Sequence, residues 1–264
     1  MAEKETNGHS AQGFLTLAAD LHTHTIASGH AFSTVTEMAA AAAERGLEML
    51  GIADHGPAMP GGPHRYHFGN LRNLPPRICG VEVIRGVEAN ILDTSGRLDL
   101  PDYYLRNLDM VLAGLHFVCF PQKSREDNTS AVLAAMDNPH VDAIVHPGNP
   151  EYKLDYEAVV RKAASKGILL EVNNSSLGGK ARTGSAGNCQ SIVCLIRDLG
   201  GTILVSSDAH FCTQVGVFDE ALKLLASEGI RAEQVLNTSG AKIRQFLAGR
   251  GKKRYAIKEV PPSE

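Results

Sequence analysis

The sequence has 264 residues, of which 43% are hydrophobic and 21% are charged, and its formal net charge is −3. These values are typical of a globular chain with one large α/β domain or two ordinary domains, and they exclude a disordered protein. No block of basic residues precedes the segment GRGKKR near the end of the chain. We therefore expect no nucleic-acid partner, and we interpret that segment as a solvated helix end.

The five cysteines are scattered and none forms a C-x-x-C pair, which favours a reduced, cytoplasmic chain. No apolar run approaches the ~20 residues of a membrane span, and the first residues lack the apolar core of a signal peptide. We predict a flexible N-terminal tail over 1–13, one catalytic domain over 14–250 and a C-terminal tail over 251–264.

Seven short apolar runs rich in Val, Ile and Leu predict seven strands. In chain order they are GFLTLAADLHTH, EMLGIADHG, VEVIRGVEAN, MVLAGLHF, AIVHPGNP, ILLEVNNSS and TILVSSDAH. Most are continuously apolar, which is typical of strands buried on both faces of a parallel sheet.

Helical patterns separate these runs. STVTEMAAAAAERG begins with a Ser33/Thr34 cap and ends at Gly46, and LDYEAVVRKAASKG begins with the cap Asp155 and ends at Gly167. Three further helices are predicted in NCQSIVCLIRDLG, FDEALKLLASEG and SGAKIRQFLAGRG.

Strand and helix alternate without a break, which predicts parallel βαβ units and an α/β fold. Seven units indicate a single-domain TIM-like barrel, or a near relative with one unit missing, because no convincing eighth strand follows His210. The alternative, an open doubly wound sheet, would need a glycine-rich phosphate-binding turn after the first strand, where this sequence has DLHTHT.

Every predicted strand ends in a side chain that can bind a metal ion. The sixth run ends in Glu171. The other six runs, together with His30 in the loop after the first, supply nine candidate ligands: His22, His24, His30, His55, Glu88, His116, His146, Asp208 and His210. The carboxyl ends of barrel strands meet at one face, where active sites lie. A lone histidine is more often hydrogen-bonded or solvated than a ligand, but this shared position favours a metal centre.

Nine ligands fit two or three ions, since one zinc takes about four. A histidine-dominated set favours zinc, iron, manganese or copper over magnesium or calcium, and the absence of thiolates argues against a purely structural zinc site.

Four other polar residues are candidate catalytic residues. His64 and His67 lie in GGPHRYHFGN after the second strand, where either a surface role or a substrate-binding role fits. Arg182 in GGKARTGSAGN is placed to offer a guanidinium to an anion. Asp54 precedes a proposed ligand on a strand, so a hydrogen bond that orients a ligand fits it as well as catalysis does.

The motifs DLHTHT, ADHG, GVEAN, GLH, HPGNP, EVNNSS and SSDAH, in this order and spacing, resemble the PHP (polymerase and histidinol phosphatase) superfamily, and above all its bacterial YcdX-type phosphatases. The resemblance runs from about Ala19 to about Gly249. It implies a distorted (β/α)7 barrel that holds three zinc ions, and it leaves open a homo-oligomer such as a trimer.

The resemblance also implies how the ligands group. His22 and His24 would hold one zinc with Asp208 and Glu88. A second zinc would be held by His30, His55 and His210. Glu88 would bridge to a third, held by His116 and His146. The sequence departs from the family in the loop PHRYHF, where Arg65 and Tyr66 stand between the histidines in place of a stretch richer in His and Trp.

These features predict a metal-dependent phosphatase that cleaves small phosphate monoesters with a metal-bound hydroxide. Zinc is the expected cofactor, and Mn²⁺ or Fe²⁺ suits the same ligands. Arg182 would stabilise the phosphoryl oxygens, and His64, His67 or a metal-bound water would protonate the leaving group.

Four alternatives stay open at this stage: a phosphodiesterase or nuclease with the same centre, an amidohydrolase, a non-catalytic zinc-binding regulatory protein, and histidinol phosphate as the particular substrate. Amidohydrolases commonly carry a lysine ligand at the end of the fourth strand, where this chain has His116.

Overall fold

In the computed structural model, which describes residues 15–178 and 182–256, seven parallel strands form a nearly closed barrel. Together with one short antiparallel strand, β3, the strands in chain order are β1 Ala19–Thr23, β2 Met49–Ile52, β3 Arg77–Ile78, β4 Val81–Asn90, β5 Met110–Gly114, β6 Ala143–Ile144, β7 Leu169–Asn173 and β8 Thr202–Ser206. Their order is β1-β2-β4-β5-β6-β7-β8, and the short β3 pairs antiparallel with β4. This confirms the predicted TIM-like barrel with its seven parallel strands; β3 is an addition that the sequence did not reveal.

Helices cover the outside of the barrel. In the part of the chain that the structure describes they are α1 Val35–Glu44, α2 Tyr66–Asn70, α3 Asp102–Leu105, α4 Arg125–Ala135, α5 Tyr156–Lys166, α6 Asn174–Gly178, α7 Ser185–Leu199, α8 Asp219–Ser227 and α9 Gly240–Gly249. None of these helices is long and apolar enough to cross a membrane. The predicted tail over 1–13 and residues 257–264 lie outside the described residues.

The predicted helix caps are present and explain where two helices begin. Thr34 and Glu37 form a capping box at the start of α1, and the Asp155 side chain accepts a hydrogen bond from the Ala158 amide at the start of α5. Gly167 ends α5 with φ at 63°, a left-handed conformation that costs glycine least.

The seam between β8 and β1 is closed by few backbone contacts. At the carboxyl end of the strands, His24 N donates to Ala209 O at 2.8 Å and Asp208 N donates to His22 O at 3.0 Å. At the other end, the side chain of Asn237 forms the hydrogen bonds that the backbone of a neighbouring strand would form. Its Nδ2 donates to Ala19 O at 2.7 Å and to Val205 O at 2.8 Å, so one side-chain amide bridges β1 and β8.

A bulge in β1 decides which side chains face the interior. Between two register pairs, Asp20 with Leu50 and Thr23 with Ile52, β1 advances three residues while β2 advances two. One extra residue reverses the alternation of a strand. Leu21 therefore packs in the barrel interior, and His22, the next residue, also points to the barrel axis.

The barrel interior below the candidate ligands is apolar. It contains Ala19, Leu21, Met49, Ala53, Ile84, Met110, Leu112, Ala143, Val145, Leu169 and Leu204, and it is covered at the amino ends of the strands by Leu236, Ile243 and Leu247. The packed interior provides a rigid floor for the polar residues at the other end of the barrel.

Residues 251–256 pack on the barrel and are not a solvated helix end. Lys252 Nζ lies 2.5 Å from Asp142 Oδ2, and Arg254 Nη1 lies 2.7 Å from Asp109 Oδ2. Asp142 is fully buried and Asp109 nearly so, because each stands just before a barrel strand. The basic residues of this segment therefore neutralise carboxylates at the base of the barrel, which corrects our interpretation of GRGKKR.

Candidate metal centre

Glu88, at the carboxyl end of β4, lies at the centre of the candidate ligands. Its Oε1 is 3.0 Å from His116 Nε2 and 2.7 Å from His146 Nε2, and its Oε2 is 2.7 Å from His55 Nδ1. These histidines end the strands on both sides of Glu88 along the sheet. One carboxylate thus faces three imidazoles, an arrangement suited to a ligand that bridges two ions.

Asp208, just after β8, is a second carboxylate in the same cluster. Its Oδ1 lies 3.2 Å from His24 Nε2 and 3.7 Å from His22 Nε2. Both of these nitrogens lie 3.4 Å from Glu88 Oε2. The bulge in β1 therefore places His22 and His24 between the two carboxylates.

Three sets of side chains have ligand atoms close enough to share an ion. They are His22, His24 and Asp208; His24, His55 and His210; and His55, Glu88 and His116, and within each set the ligand atoms lie within 4.8 Å of one another. His30 is exposed, and its ring stacks against His55 at 4.9 Å and His210 at 5.0 Å between centroids. All nine predicted ligands thus lie in one cluster.

The polar atoms of this cluster lack the partners that buried groups normally have. His22 Nε2, His24 Nε2, His55 Nδ1 and Glu88 Oε2 are buried without a hydrogen-bond partner. Each unpaired buried polar atom costs about 1–3 kcal/mol, so four that face one another need a common partner. A metal ion is such a partner, and the residues present fit it.

Charge in the cluster is arranged for cations. Burial opposes ionisation of Glu88, but electrostatic attraction to the imidazoles of His55, His116 and His22 outweighs it and holds the Glu88 pKa well below its ordinary value. Asp208 behaves alike, because Arg182 and His22 outweigh burial and keep its pKa well below the ordinary range. Both carboxylates are therefore anionic at neutral pH, which is the form that binds metal.

Two histidines are held in the neutral form that a ligand requires. Burial lowers the pKa of His24 to about 3, with a further contribution from the charge of His55. Burial likewise lowers the pKa of His116 to about 4. Their ring nitrogens thus offer free lone pairs at neutral pH without first losing a proton.

Glu171, the middle residue of β7, forms hydrogen bonds to the sides of the ligands that face away from the cluster. Its Oε1 accepts from His22 Nδ1 at 2.6 Å and also from Ser206 Oγ, and its Oε2 accepts from the His146 amide at 2.6 Å. His24 Nδ1 lies 3.1 Å from Ser28 Oγ, so it too has an outer partner. Such partners fix the tautomer and ring orientation of metal-binding histidines.

Asp54 points away from the cluster, as expected for the residue that precedes His55 after β2. Its carboxylate accepts from the Thr25 amide at 2.7 Å and from Ser28 Oγ at 2.7 Å, and it lies 3.2 Å from His67 Nε2. His64 is exposed, and its Nδ1 accepts from the Tyr66 amide. Asp54 and His67 therefore support the loop after β1, and His64 lies apart from the candidate ligands.

Backbone geometry at the cluster is unusual. His146 has φ of 34° and Asp208 has φ of 56°, both in the left-handed region that only glycine adopts freely. Such strain costs about 1–3 kcal/mol and is typical of functional sites. Gly114 is also required, since a Cβ there would lie 2.9 Å from His146 Cε1 and 3.3 Å from His116 Cε1. No pattern in the sequence indicates these features.

Arg182 borders an open cavity of about 440 Å³ above the cluster. Its Nη2 lies 2.9 Å from Asp208 Oδ2 and its Nη1 donates to Ser176 Oγ at 3.1 Å. The cavity is also lined by the candidate ligands His30, His55, His116, Asp208 and His210, by the apolar residues Met59, Pro60, Leu115, Phe117 and Val118, and by Asn149, Glu151 and Tyr152. The cavity therefore joins the candidate ligands, one guanidinium and an apolar wall.

The fold and the site together define a barrel protein with a metal-binding centre. The PHP domain family model matches residues 20–175. A probable phosphatase of Caldanaerobacter subterraneus subsp. tengcongensis is 50% identical over 240 residues, which cover 90% of this chain and 94% of that protein. A probable phosphatase of Photobacterium profundum is 46% identical over 91% of this chain and 97% of that protein. The chain belongs to the PHP domain family, which confirms the resemblance seen in the motifs.

A solved structure of similar fold is histidinol phosphate phosphatase from Lactococcus lactis subsp. lactis, in complex with zinc, L-histidinol and phosphate. Its TM-score is 0.58 over 81% of this chain and 94% of that chain, and the two sequences are 15% identical. The two proteins thus share the barrel fold.

Proposed function

We propose that this protein is a metal-dependent phosphatase that hydrolyses small phosphate monoesters at a centre of three zinc ions. The observation that carries the proposal is the cluster of nine candidate ligands, in which four buried polar atoms have no hydrogen-bond partner. The names of the two probable phosphatases, each matching about nine-tenths of the chain, support the same activity.

The distances between side chains suggest which ligands would share each ion. His22, His24, Asp208 and Glu88 would hold one ion, because their ligand atoms lie within 3.7 Å of a partner in the set. His55, His210 and His30 would hold a second beside them. His116 and His146, both on Glu88 Oε1, would hold a third. Bound ions would supply Lewis acidity and lower the pKa of the attacking water.

Arg182 would bind the phosphoryl group. Its side chain is about a quarter exposed and lines the cavity, while Asp208 and Ser176 hold the guanidinium in place. A planar guanidinium offers paired donors to phosphate oxygens. Because Asp208 and Ser176 already hold the Arg182 side chain in place, less of its conformational freedom is lost when the substrate binds. Arg182 thus stabilises charge on the non-bridging oxygens.

The apolar wall selects the leaving group. Leu115, Phe117 and Val118 follow β5 and face the cavity, and Phe117 is 74% exposed. Apolar surface removed from water stabilises a complex by about 25 cal/mol per Å². We therefore propose substrates whose alcohol carries an apolar or aromatic group. Neither His64 nor His67 lines this cavity, so their assignment as proton donors stays a prediction.

The first test is hydrolysis of p-nitrophenyl phosphate by the purified protein, as isolated, after chelation, and after addition of zinc, manganese or iron. We expect chelation to abolish activity and zinc to restore it. His22→Ala should lose more than about a hundredfold in activity, since even an outer partner of a ligand contributes about 10–100-fold.

The matched control is His140→Ala, because His140 is remote from the ligand cluster and, among the described residues, forms hydrogen bonds through its backbone N and O. We expect it to retain wild-type activity. Bis(p-nitrophenyl) phosphate separates monoesterase from diesterase activity, and histidinol phosphate tests that particular substrate. A folded protein that retains its ions but cleaves no ester would contradict the proposal.

A further inference from the structure

A second and larger cavity, of about 840 Å³, lies beside α2 and α3. It shares none of its lining residues with the cavity above the metal centre. Its walls come from the loop after β2 and from the segment after β4, the first of which departs from the family pattern at Arg65 and Tyr66. A volume of this size is typical of a site for a small organic ligand.

Positive charge in this cavity has no counter-charge. Arg72, Arg85 and Arg106 line it, and no Asp or Glu does. Among the described residues none of the three guanidinium groups forms an ion pair. Arg85 Nη2 donates to Leu74 O at 2.6 Å, and Arg85 Nε is buried with no partner. Three arginines without a carboxylate favour an anionic ligand.

Aromatic rings line the same cavity. Tyr66 is 74% exposed and Tyr103 is 64% exposed, and Tyr104 lies beside Tyr103 with the ring centroids 5.3 Å apart. Arg106 already lies over the Tyr103 ring, with its Cζ 5.2 Å from the centroid. Exposed rings next to guanidinium groups form stacking surfaces for a flat aromatic group.

We propose that this cavity is a second binding site, separate from the metal centre, for a small organic phosphate that carries an aromatic ring, as nucleotides do. The phosphate contacts Arg72, Arg85 and Arg106, and the ring stacks on Tyr66 or Tyr103. The proposal needs only binding in this cavity, so it stands or fails apart from the phosphatase activity.

The test is calorimetric titration of the metal-loaded protein with α,β-methylene adenosine diphosphate, whose carbon bridge prevents release of the terminal phosphonate. We expect one saturable site in this cavity. The double variant Arg72→Gln/Arg106→Gln should weaken binding at least tenfold, and adenosine or inorganic phosphate alone should bind more weakly than the intact probe. Arg85 is left unchanged because its bond to Leu74 O supports the fold.

The matched control is Arg161→Gln/Arg231→Gln, which removes the same charge from exposed positions elsewhere on the surface. It should bind the probe like the wild type. Both double variants should keep the wild-type Tm, which shows that they are folded whether or not the protein is a phosphatase. Equal affinity in all three proteins would place the probe at the metal centre and overturn the proposal, as would no binding at millimolar concentration.

Discussion

His22 shows how a single residue is prepared for metal binding. Its Nδ1 donates to Glu171 Oε1, so its Nε2 is the atom that faces Glu88 and Asp208. Burial opposes protonation of His22, yet the charges of Glu171, Glu88 and Asp208 outweigh it and raise the His22 pKa well above its ordinary value. The pocket thus stabilises positive charge at this ring, and a bound cation would replace the proton.

Glu171→Gln should reduce both zinc affinity and kcat by about 10–100-fold, because the amide keeps the shape but lacks the charge that orients His22. KM for p-nitrophenyl phosphate should change little, since Glu171 does not line the substrate cavity. Zinc titration followed by steady-state kinetics measures both effects. The control is Glu157→Gln on α5, an exposed carboxylate paired only with Arg161, and an equal loss in that variant would contradict the role of Glu171.

At this scale the sequence predicted the candidate ligands better than their supports. The ligands share a position at the end of a strand, and that position is visible in the pattern of apolar runs. Glu171 acts on His22 across 149 positions of chain, and Gly114 matters because of two rings that approach it in space. Contacts of this kind depend on the packing of elements, which no local pattern contains.

At the scale of elements, the segment after α9 fastens that helix to the base of the barrel. Arg250 Nε lies 3.1 Å and Lys252 Nζ 2.5 Å from the carboxylate of Asp142, which precedes β6. The same carboxylate accepts from the Val111 amide at 2.8 Å. The sequence suggested solvated charges because basic residues are mostly exposed. The buried carboxylates that reverse this expectation are distant in the chain.

Lys252→Met should lower the free energy of unfolding by about 3 kcal/mol, because it leaves a fully buried carboxylate with one cation fewer. Urea unfolding measures this loss. The adjacent Lys253→Met is the control, since Lys253 is exposed and its Nζ donates a hydrogen bond to Asn107 Oδ1. This substitution should cost less than about 0.5 kcal/mol. Adding Asp142→Asn to Lys252→Met should recover part of the loss, and no recovery would exclude the ion pair as its cause.

For the whole molecule, the candidate metal centre lies across the barrel seam. His22 and His24 stand on β1, and Asp208 and His210 follow β8, with few backbone hydrogen bonds between the two strands. Ions bound by both sides would therefore connect the first and last strands. Binding to the folded state alone stabilises it by mass action, by about 2.7 kcal/mol at a hundredfold excess over Kd.

Chelation should lower the Tm by about 5–10 °C, because each 1 kcal/mol corresponds to about 2–4 °C in a domain of this size. Scanning calorimetry with and without chelator measures the shift. The same experiment on His22→Ala should give a smaller shift. If wild type and variant lose the same amount, the chelator acts elsewhere and the centre does not stabilise the seam.

The number of barrel strands was predictable, but the way the barrel closes was not. No apolar run after His210 indicated a further barrel strand, and the described residues contain no strand after β8. Between β8 and β1, where a further strand would lie, Val235 forms a β-bridge with Ile203. The side-chain amide of Asn237 donates to backbone carbonyls that such a strand would have paired. A side chain in place of a peptide group leaves no periodicity for sequence reasoning to detect.

The seam residues come from opposite ends of the chain, and this affects when the metal centre can form during biosynthesis. The ribosome makes His22 and His24 early. The seam of the barrel can close only after Asp208, His210 and Asn237 have also been made, because they supply the contacts across it. Domains begin to fold from the N-terminal side during synthesis, but this centre requires both ends of the barrel. An ion held by both ends of the barrel would therefore bind after translation, and a prematurely terminated chain would expose a histidine-rich strand without its partners.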